Sequence, residues 1–161
     1  MFRREGYRNH PFPGSAMYRT VILVAVAVVL GGATTTGFSR QGAEEREVRA
    51  ALEHYLAGHA TGDGEHFKLV FHPDSKLYFN REGRFATRTA AEYIAGASGK
   101  PAADEAQRKR RIVSVDVTGD AAMAKVELDY PTTFFTDYFN LLKVDGKWMI
   151  VNKTFHARRK G

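Results

Sequence analysis

The sequence predicts an α+β domain in which helices cover one face of a half-buried antiparallel sheet. Three observations carry this expectation. Apolar residues follow a helical period from Ala43 onward. Four long segments near the end alternate apolar and polar residues, the mark of strands with one face in a core. Between the last two of these stands Asp145-Gly146, a strong type I′ hairpin signal.

In chain order, Val48, Leu52, Tyr55, Leu56 and His59 lie on one face of a first helix, which Thr61-Gly62-Asp63-Gly64 ends. Asp63 can cap a short second helix that buries Phe67, Val70 and Phe71 and is broken by Pro73-Asp74. Ser75 to Phe79 reads as a strand, Arg81 to Gly83 as a turn and Arg84 to Thr87 as another short strand. Thr89-Ala90-Ala91-Glu92 is a capping box that opens a third helix through Tyr93 and Ile94, ending near Gly96 or Gly99. A loop to Ala106 follows. Lys109 to Thr118 alternates on Val113, Val115 and Val117, and Gly119-Asp120 turns the chain. The next strand sets Ala122, Ala124, Val126, Leu128 and Tyr130 on one face against Lys125, Glu127 and Asp129 on the other. Pro131 separates it from Thr133 to Val144, and Lys147 to Ala157 completes the last hairpin.

The 161 residues suffice for one ordinary domain, and 43% hydrophobic with 26% charged residues is a globular composition. The absence of cysteine excludes disulfides, thiolate metal sites and a cysteine nucleophile. Half of the net charge of +6 falls within the first 39 residues, where Arg3, Arg4, Arg8 and Arg19 face only Glu5. The remaining excess sits in Arg108-Lys109-Arg110-Arg111 and Arg158-Arg159-Lys160, runs that read as solvated strand ends or tails. No recognition helix or stacking motif accompanies them, so no nucleic-acid partner is expected. Val21 to Ala33 is an uncharged apolar run behind arginines and ahead of small and hydroxyl residues, the layout of a signal peptide. Residues 1–39 are accordingly read as a signal peptide or uncleaved signal anchor, with Met17 as an alternative start, and 43–157 as the folded domain. Both readings place that domain outside the cytoplasm, periplasmic or secreted, and touch a membrane only through the N-terminal segment.

Three stretches carry a family resemblance: YLAGHATGDGEHFKLVFHPDSKLYF (Tyr55 to Phe79), RIVSVDVTGDAAMAKVELDYP (Arg111 to Pro131) and TDYFNLLKVDGKWMIVNKTFH (Thr136 to His156). In order and spacing the chain resembles the nuclear transport factor 2-like (SnoaL-like) superfamily, and more narrowly its bacterial branch labelled "putative lumazine-binding". The resemblance implies a cone: a strongly curved mixed or antiparallel sheet wrapped around three helices, open at one end to a pocket. Enzymes of such cones, among them ketosteroid isomerase, scytalone dehydratase and polyketide cyclases, place a carboxylate or histidine in the apolar pocket to move a proton.

A two-residue Asp145-Gly146 loop pairs Val144 with Lys147, and counting outward sets Asp137 opposite Thr154, Phe135 opposite His156 and Phe139 opposite Asn152. Asp137, Asn152, Thr154 and His156 then share a face with Leu141, Trp148 and Ile150, polar groups beside an apolar wall. A single β-bulge between the turn and this region exchanges the sets and brings in Tyr138 and Lys153, the latter suited to an anionic ligand. Candidate ligand-binding residues are therefore Tyr55, Tyr78, Tyr93, Asp137, Asn152, Lys153 and His156. Catalytic candidates are Asp137 as base with His156, and Tyr78 or Tyr93 would donate to a developing oxyanion. The structural alternative is that Asp137 merely satisfies a backbone or tyrosine donor at a strand start. His72-Pro73-Asp74 reads as a turn rather than an acid–base pair. No metal is expected, because His54 and His59 are five apart on their helix and His66 and His72 have no paired carboxylate motif. No cofactor is implied.

Three functions fit this reading: a binder of a small apolar or aromatic molecule, a cofactor-free isomerase, dehydratase or cyclase, and a scaffold or dimerisation module. Alternating Lys and Glu on the outer face of the fourth strand argue against a large apolar interface there, yet leave a homodimer through the outer strands open.

Overall fold

A computed structural model of the protein describes residues 40–161; the leading segment read as an export signal lies outside the described residues. The described chain is one unit, Arg40–Gly161. Helix α1 runs through residues 40–61 and buries Val48, Leu52 and Tyr55 completely, one residue per turn along the face that the apolar spacing predicts. Its C-terminal end closes at Gly62, in the left-handed region at φ 72°, with Gly62 N donating to Gly58 O. Gly58 itself permits a close approach. A Cβ there would lie 2.5 Å from the Phe67 ring, so glycine lets α2 press that ring onto α1.

Helix α2 spans Gly64–Val70, with the Asp63 side chain accepting from Glu65 N as its N-cap. It ends before Phe71, which the sequence placed in the helix; Phe71 instead opens strand β1, Phe71–Arg81, while remaining buried. Pro73 does not break the helix but lies inside the strand. Pairing with the neighbouring strand shifts register between Phe71 and Lys76, which is where a residue lacking an N–H is tolerated. Glu82 and Gly83, at φ 52° and 76°, turn the chain into β2, Arg84–Thr89. The expected capping box is present, with Thr89 and Glu92 bonding each other's backbone at the start of α3, Ala90–Ala95. A single 3-10 turn, Glu105–Gln107, interrupts the loop that follows.

Strands β3 (Lys109–Thr118), β4 (Ala121–Asp129), β5 (Thr133–Val144) and β6 (Lys147–Arg159) complete one six-stranded sheet of order β2-β1-β6-β5-β4-β3. All neighbours are antiparallel except β1 and β6, which run parallel. The sheet is mixed and open, with β2 and β3 as its edges. The α+β class read from the sequence is the one observed. The core lies between α1, α2 and one sheet face, where Tyr55, Leu52, Phe67 and Val70 meet Leu77, Val126, Phe139, Leu141, Trp148 and Ile150.

Bulges change two predicted faces. In β3 the register shifts between Ile112 and Ser114, so Val113 turns outward, 38% exposed, while Val115 and Val117 keep the inner face. The last hairpin begins as expected. Asp145 and Gly146 both have positive φ, 49° and 76°, and Val144 pairs with Lys147. Leu141 pairs with Ile150, but Asn140 pairs with Asn152, leaving Val151 as an extra residue. Beyond it Asp137 lies opposite Phe155 rather than Thr154, Phe135 opposite Ala157 rather than His156, and Phe139 opposite Lys153 rather than Asn152. Because the extra residue is on β6 alone, that strand exchanges faces while β5 does not. Asp137 therefore stays inside, Lys153 joins it, and Tyr138 remains outside, 51% exposed.

Candidate functional site

Helix α1 places Tyr55 and His59 one turn apart on its buried face, and both point toward the region of the sheet just past the β6 bulge. There Lys153 Nζ donates to Tyr55 Oη at 2.5 Å and lies 3.0 Å from Asp137 Oδ2. Tyr55 Oη in turn donates to Asp137 Oδ2 at 2.6 Å. The three groups form a closed triangle at the centre of the fold, with Asp137 0% and Lys153 4% exposed. Asp137 Oδ1 is buried and has no hydrogen-bond partner among the described residues. Aromatic rings surround the ammonium: Tyr55, Tyr93 and Phe155 at 4.9, 5.3 and 5.1 Å to their centroids, and Phe139 at 5.7 Å.

A hydroxyl and imidazole chain extends the triangle. Tyr93 Oη, carried by α3, is 3.4 Å from Tyr55 Oη and 2.8 Å from His59 Nε2, and Tyr130 Oη lies 3.1 Å from His59 Nδ1. A neutral imidazole offers one donor and one acceptor, so one proton arrangement makes every link: Tyr130 donates to His59 Nδ1, His59 Nε2 donates to Tyr93, and Tyr93 donates to Tyr55. In the other tautomer His59 donates to Tyr130 and accepts from Tyr93, whose one proton then no longer reaches Tyr55. Arg110 holds the histidine from behind by donating to His59 O at 3.1 Å, and is itself paired with Glu105 at 2.6 Å.

Burial sets the charges here. It pushes the Tyr55 hydroxyl well above its ordinary range, with the Asp137 charge adding to the effect, and raises Tyr93 and Tyr130 as well. His59 is held well below its usual value by burial first and then by Lys153, Arg110 and Arg108. Lys153 is lowered because burial outweighs the opposing pull of Asp137. The tyrosines and histidine are thus neutral hydrogen-bonding groups through the neutral pH range.

These groups reach a cavity of about 250 Å³. Lys153, Asp137, Tyr93, His59 and Tyr130 supply its polar lining; Leu77, Phe79, Leu128, Phe135 and Phe155 its apolar wall; exposed Arg81 and half-buried Arg88 complete it. A few convergent polar groups in an apolar hollow, several with displaced pKa values, are the features of a small-molecule site. A larger hollow of about 750 Å³ lies between α2, α3 and the start of β1, but no buried titratable side chain lines it. The chemistry is concentrated in the smaller one. Among the described residues no three His, Asp or Glu side chains come together as metal ligands.

Of the residues singled out from the sequence, Tyr55, Tyr93, Asp137 and Lys153 are brought together. Tyr78 is not, since it stacks on Phe85 at 5.9 Å on the other side of β1 from Leu77 and Phe79. Asn152 and Thr154 line an outer groove with Tyr138 and Met123, and His156 is exposed; the β6 bulge turned all three outward. The expected partnership of Asp137 with His156 is therefore replaced by one with Lys153 and Tyr55. His72 and Asp74 are exposed or half-buried at the surface, with Asp74 N donating to His72 Nδ1 at 3.2 Å. His59 and Tyr130 were not among the site candidates. A histidine on an otherwise apolar helix face, and a tyrosine ending an apolar strand face, are polar groups turned inward in need of partners, and that was their sequence signal.

The domain is similar to solved structures of nuclear transport factor 2-like proteins of unknown function. One from Shewanella baltica is 25% identical with a TM-score of 0.65, covering 73% of this chain and 95% of that one. One from Methylobacillus flagellatus is 30% identical with a TM-score of 0.60, covering 70% and 90%. A curated protein named Aldolase FrzH, from a Cladobotryum species, is 27% identical over 103 residues, 64% of this chain and 82% of that protein. The family model described as "Putative lumazine-binding" matches residues 43–156, the whole of the cavity-bearing domain, and the chain belongs to this family, within the nuclear transport factor 2-like superfamily.

Proposed function

We propose that the cavity binds a small carbonyl compound with an apolar or aromatic body and promotes proton removal from the carbon beside the carbonyl. The carrying observation is the unpartnered, buried Oδ1 of Asp137 on the wall of an aromatic cavity, beside a neutral Tyr93 hydroxyl. Oδ1 is the free lone pair that can accept a proton, while Oδ2 is occupied by Tyr55 and Lys153. Tyr93 Oη, accepting from His59 Nε2, is the donor for the carbonyl oxygen, its proton turning to the ligand from the long 3.4 Å bond to Tyr55. The resulting enolate charge develops beside the Lys153 ammonium. Arg81 and Arg88 in the lining favour a substrate that also carries an anionic group. The relative named as an aldolase supports carbonyl chemistry, since aldol addition and cleavage pass through an enolate or its equivalent.

Deuterium exchange next to the carbonyl of acetophenone, followed by NMR with the full chain in D₂O, tests this. Exchange should exceed that in buffer and fall about 10²-fold or more in Asp137→Asn. A rate equal to buffer would exclude the base role. A second reading, binding without turnover, is favoured by the mutual pairing of Asp137 and Lys153, which leaves the cavity floor without net charge. Saturable binding without exchange would select it.

Two further parts of the reading are proposals. Val21 to Ala33 supports an exported domain. Phe85, 73% exposed on the edge strand β2, supports a homodimer through the outer strands.

A further inference from the structure

We infer that Lys153 is a covalent site, its amine condensing with the carbonyl carbon of the ligand to form an imine. This rests on the carbonyl-compound reading above and specifies how the carbonyl is activated. The geometry carries it. Lys153 Nζ lies on the cavity wall, buried among four aromatic rings, and this desolvation makes the neutral amine easier to reach than at an exposed lysine. The proton that must leave has a receiver, Asp137 Oδ2, at 3.0 Å, and transfer converts a buried ion pair into two neutral groups. Tyr55 Oη, 2.5 Å from Nζ, fixes the amine's position.

The step balances without any added reagent. The Nζ lone pair forms a bond to the carbonyl carbon, and the C=O π pair moves to oxygen, which is protonated from Tyr93; the nitrogen, now cationic, returns one of its two protons to Tyr93 through Tyr55 Oη, 2.5 Å from Nζ and 3.4 Å from Tyr93 Oη, leaving a neutral carbinolamine. The carbinolamine then loses its hydroxyl as water, taking the proton held by Asp137, and leaves a protonated C=N bond to Lys153. Asp137 is thereby returned to its carboxylate form and can remove the proton from the adjacent carbon to give an enamine. The nitrogen replaces the oxyanion as the electron sink.

The test uses acetylacetone, whose second carbonyl converts an imine into a stable, conjugated enaminone with no reductant. The full chain is incubated with acetylacetone at neutral pH, its near-ultraviolet absorption followed, and the modified lysine located by peptide mass mapping. The expected result is one enaminone per chain, mapped to Lys153 and formed at least about 10-fold faster than at exposed lysines such as Lys76 and Lys147, since each unit by which an amine's pKa falls raises its neutral fraction tenfold. Lys153→Arg should lose the rapid adduct; because that variant can misfold, the mapping on the unaltered chain decides. Modification spread evenly over surface lysines, or none at Lys153, would overturn the covalent role. Deuterium exchange without a Lys153 adduct would do the same and leave proton abstraction by Asp137 standing, whereas an adduct without exchange would keep the covalent site and remove the base.

Discussion

Lys153 stands directly opposite Phe139 across β5 and β6, two residues past the bulged Val151, and this single register relationship puts an ammonium beside Asp137 in the core. Ladder pairing without the extra residue would have set Asn152 there and turned Lys153 to solvent. The consequence is a charge pair that depends on both members being present.

Breaking the pair from one side should be costly. Lys153→Met leaves the Asp137 carboxylate buried and without its counter-charge, an expected loss of about 3–5 kcal/mol at neutral pH. Adding Asp137→Asn removes that charge. The double variant should therefore be more stable than the sum of the two single losses implies, by a coupling of about 0.5–3 kcal/mol. Urea unfolding of the four proteins measures this, and additive losses would mean that the two groups do not interact.

His59 makes stability depend on pH. Its folded pKa lies well below the unfolded value of 6.5, so between the two the unfolded chain holds one more proton than the folded one. Stability contributed by neutral His59 is present above about pH 6.5 and is lost as pH falls below it. His59→Gln keeps a donor and an acceptor but cannot titrate. Its stability should fall less steeply between about pH 6 and 5, by a slope difference approaching about 1.4 kcal/mol per pH unit. Equal slopes in parallel denaturation series would place the histidine proton elsewhere.

The Asp145-Gly146 turn should depend on glycine through backbone strain alone. Gly146 has φ 76°, and a Cβ there meets nothing within 4 Å among the described residues. Gly146→Val is thus expected to cost about 1–2 kcal/mol, the penalty of a left-handed conformation for a side chain bearing a Cβ. Unchanged thermal unfolding would contradict the strain argument.

Residues 43–157 should fold without the preceding segment, and the full chain should be exported. Cooperative unfolding of the isolated 43–157 chain measures the first. A reporter enzyme active only outside the cytoplasm, fused after Gly161, measures the second; retention inside would count against the signal reading of Val21 to Ala33.

The sequence by itself determined what depends on near neighbours: the buried face of α1 with Tyr55 and His59, the Asp63 cap, the Thr89–Glu92 capping box and the I′ turn. Each follows from spacing or from the conformational preference of one or two residues. Only the tertiary structure decided which residues of β6 face the core. A one-residue bulge has no sequence signature of its own and inverts every side chain beyond it, which is why Lys153 came in and Asn152, Thr154 and His156 went out. It also decided that Tyr55 meets Asp137 and Lys153, 82 and 98 positions away, because contacts at that separation are set by how helix and sheet pack, and no local period records them.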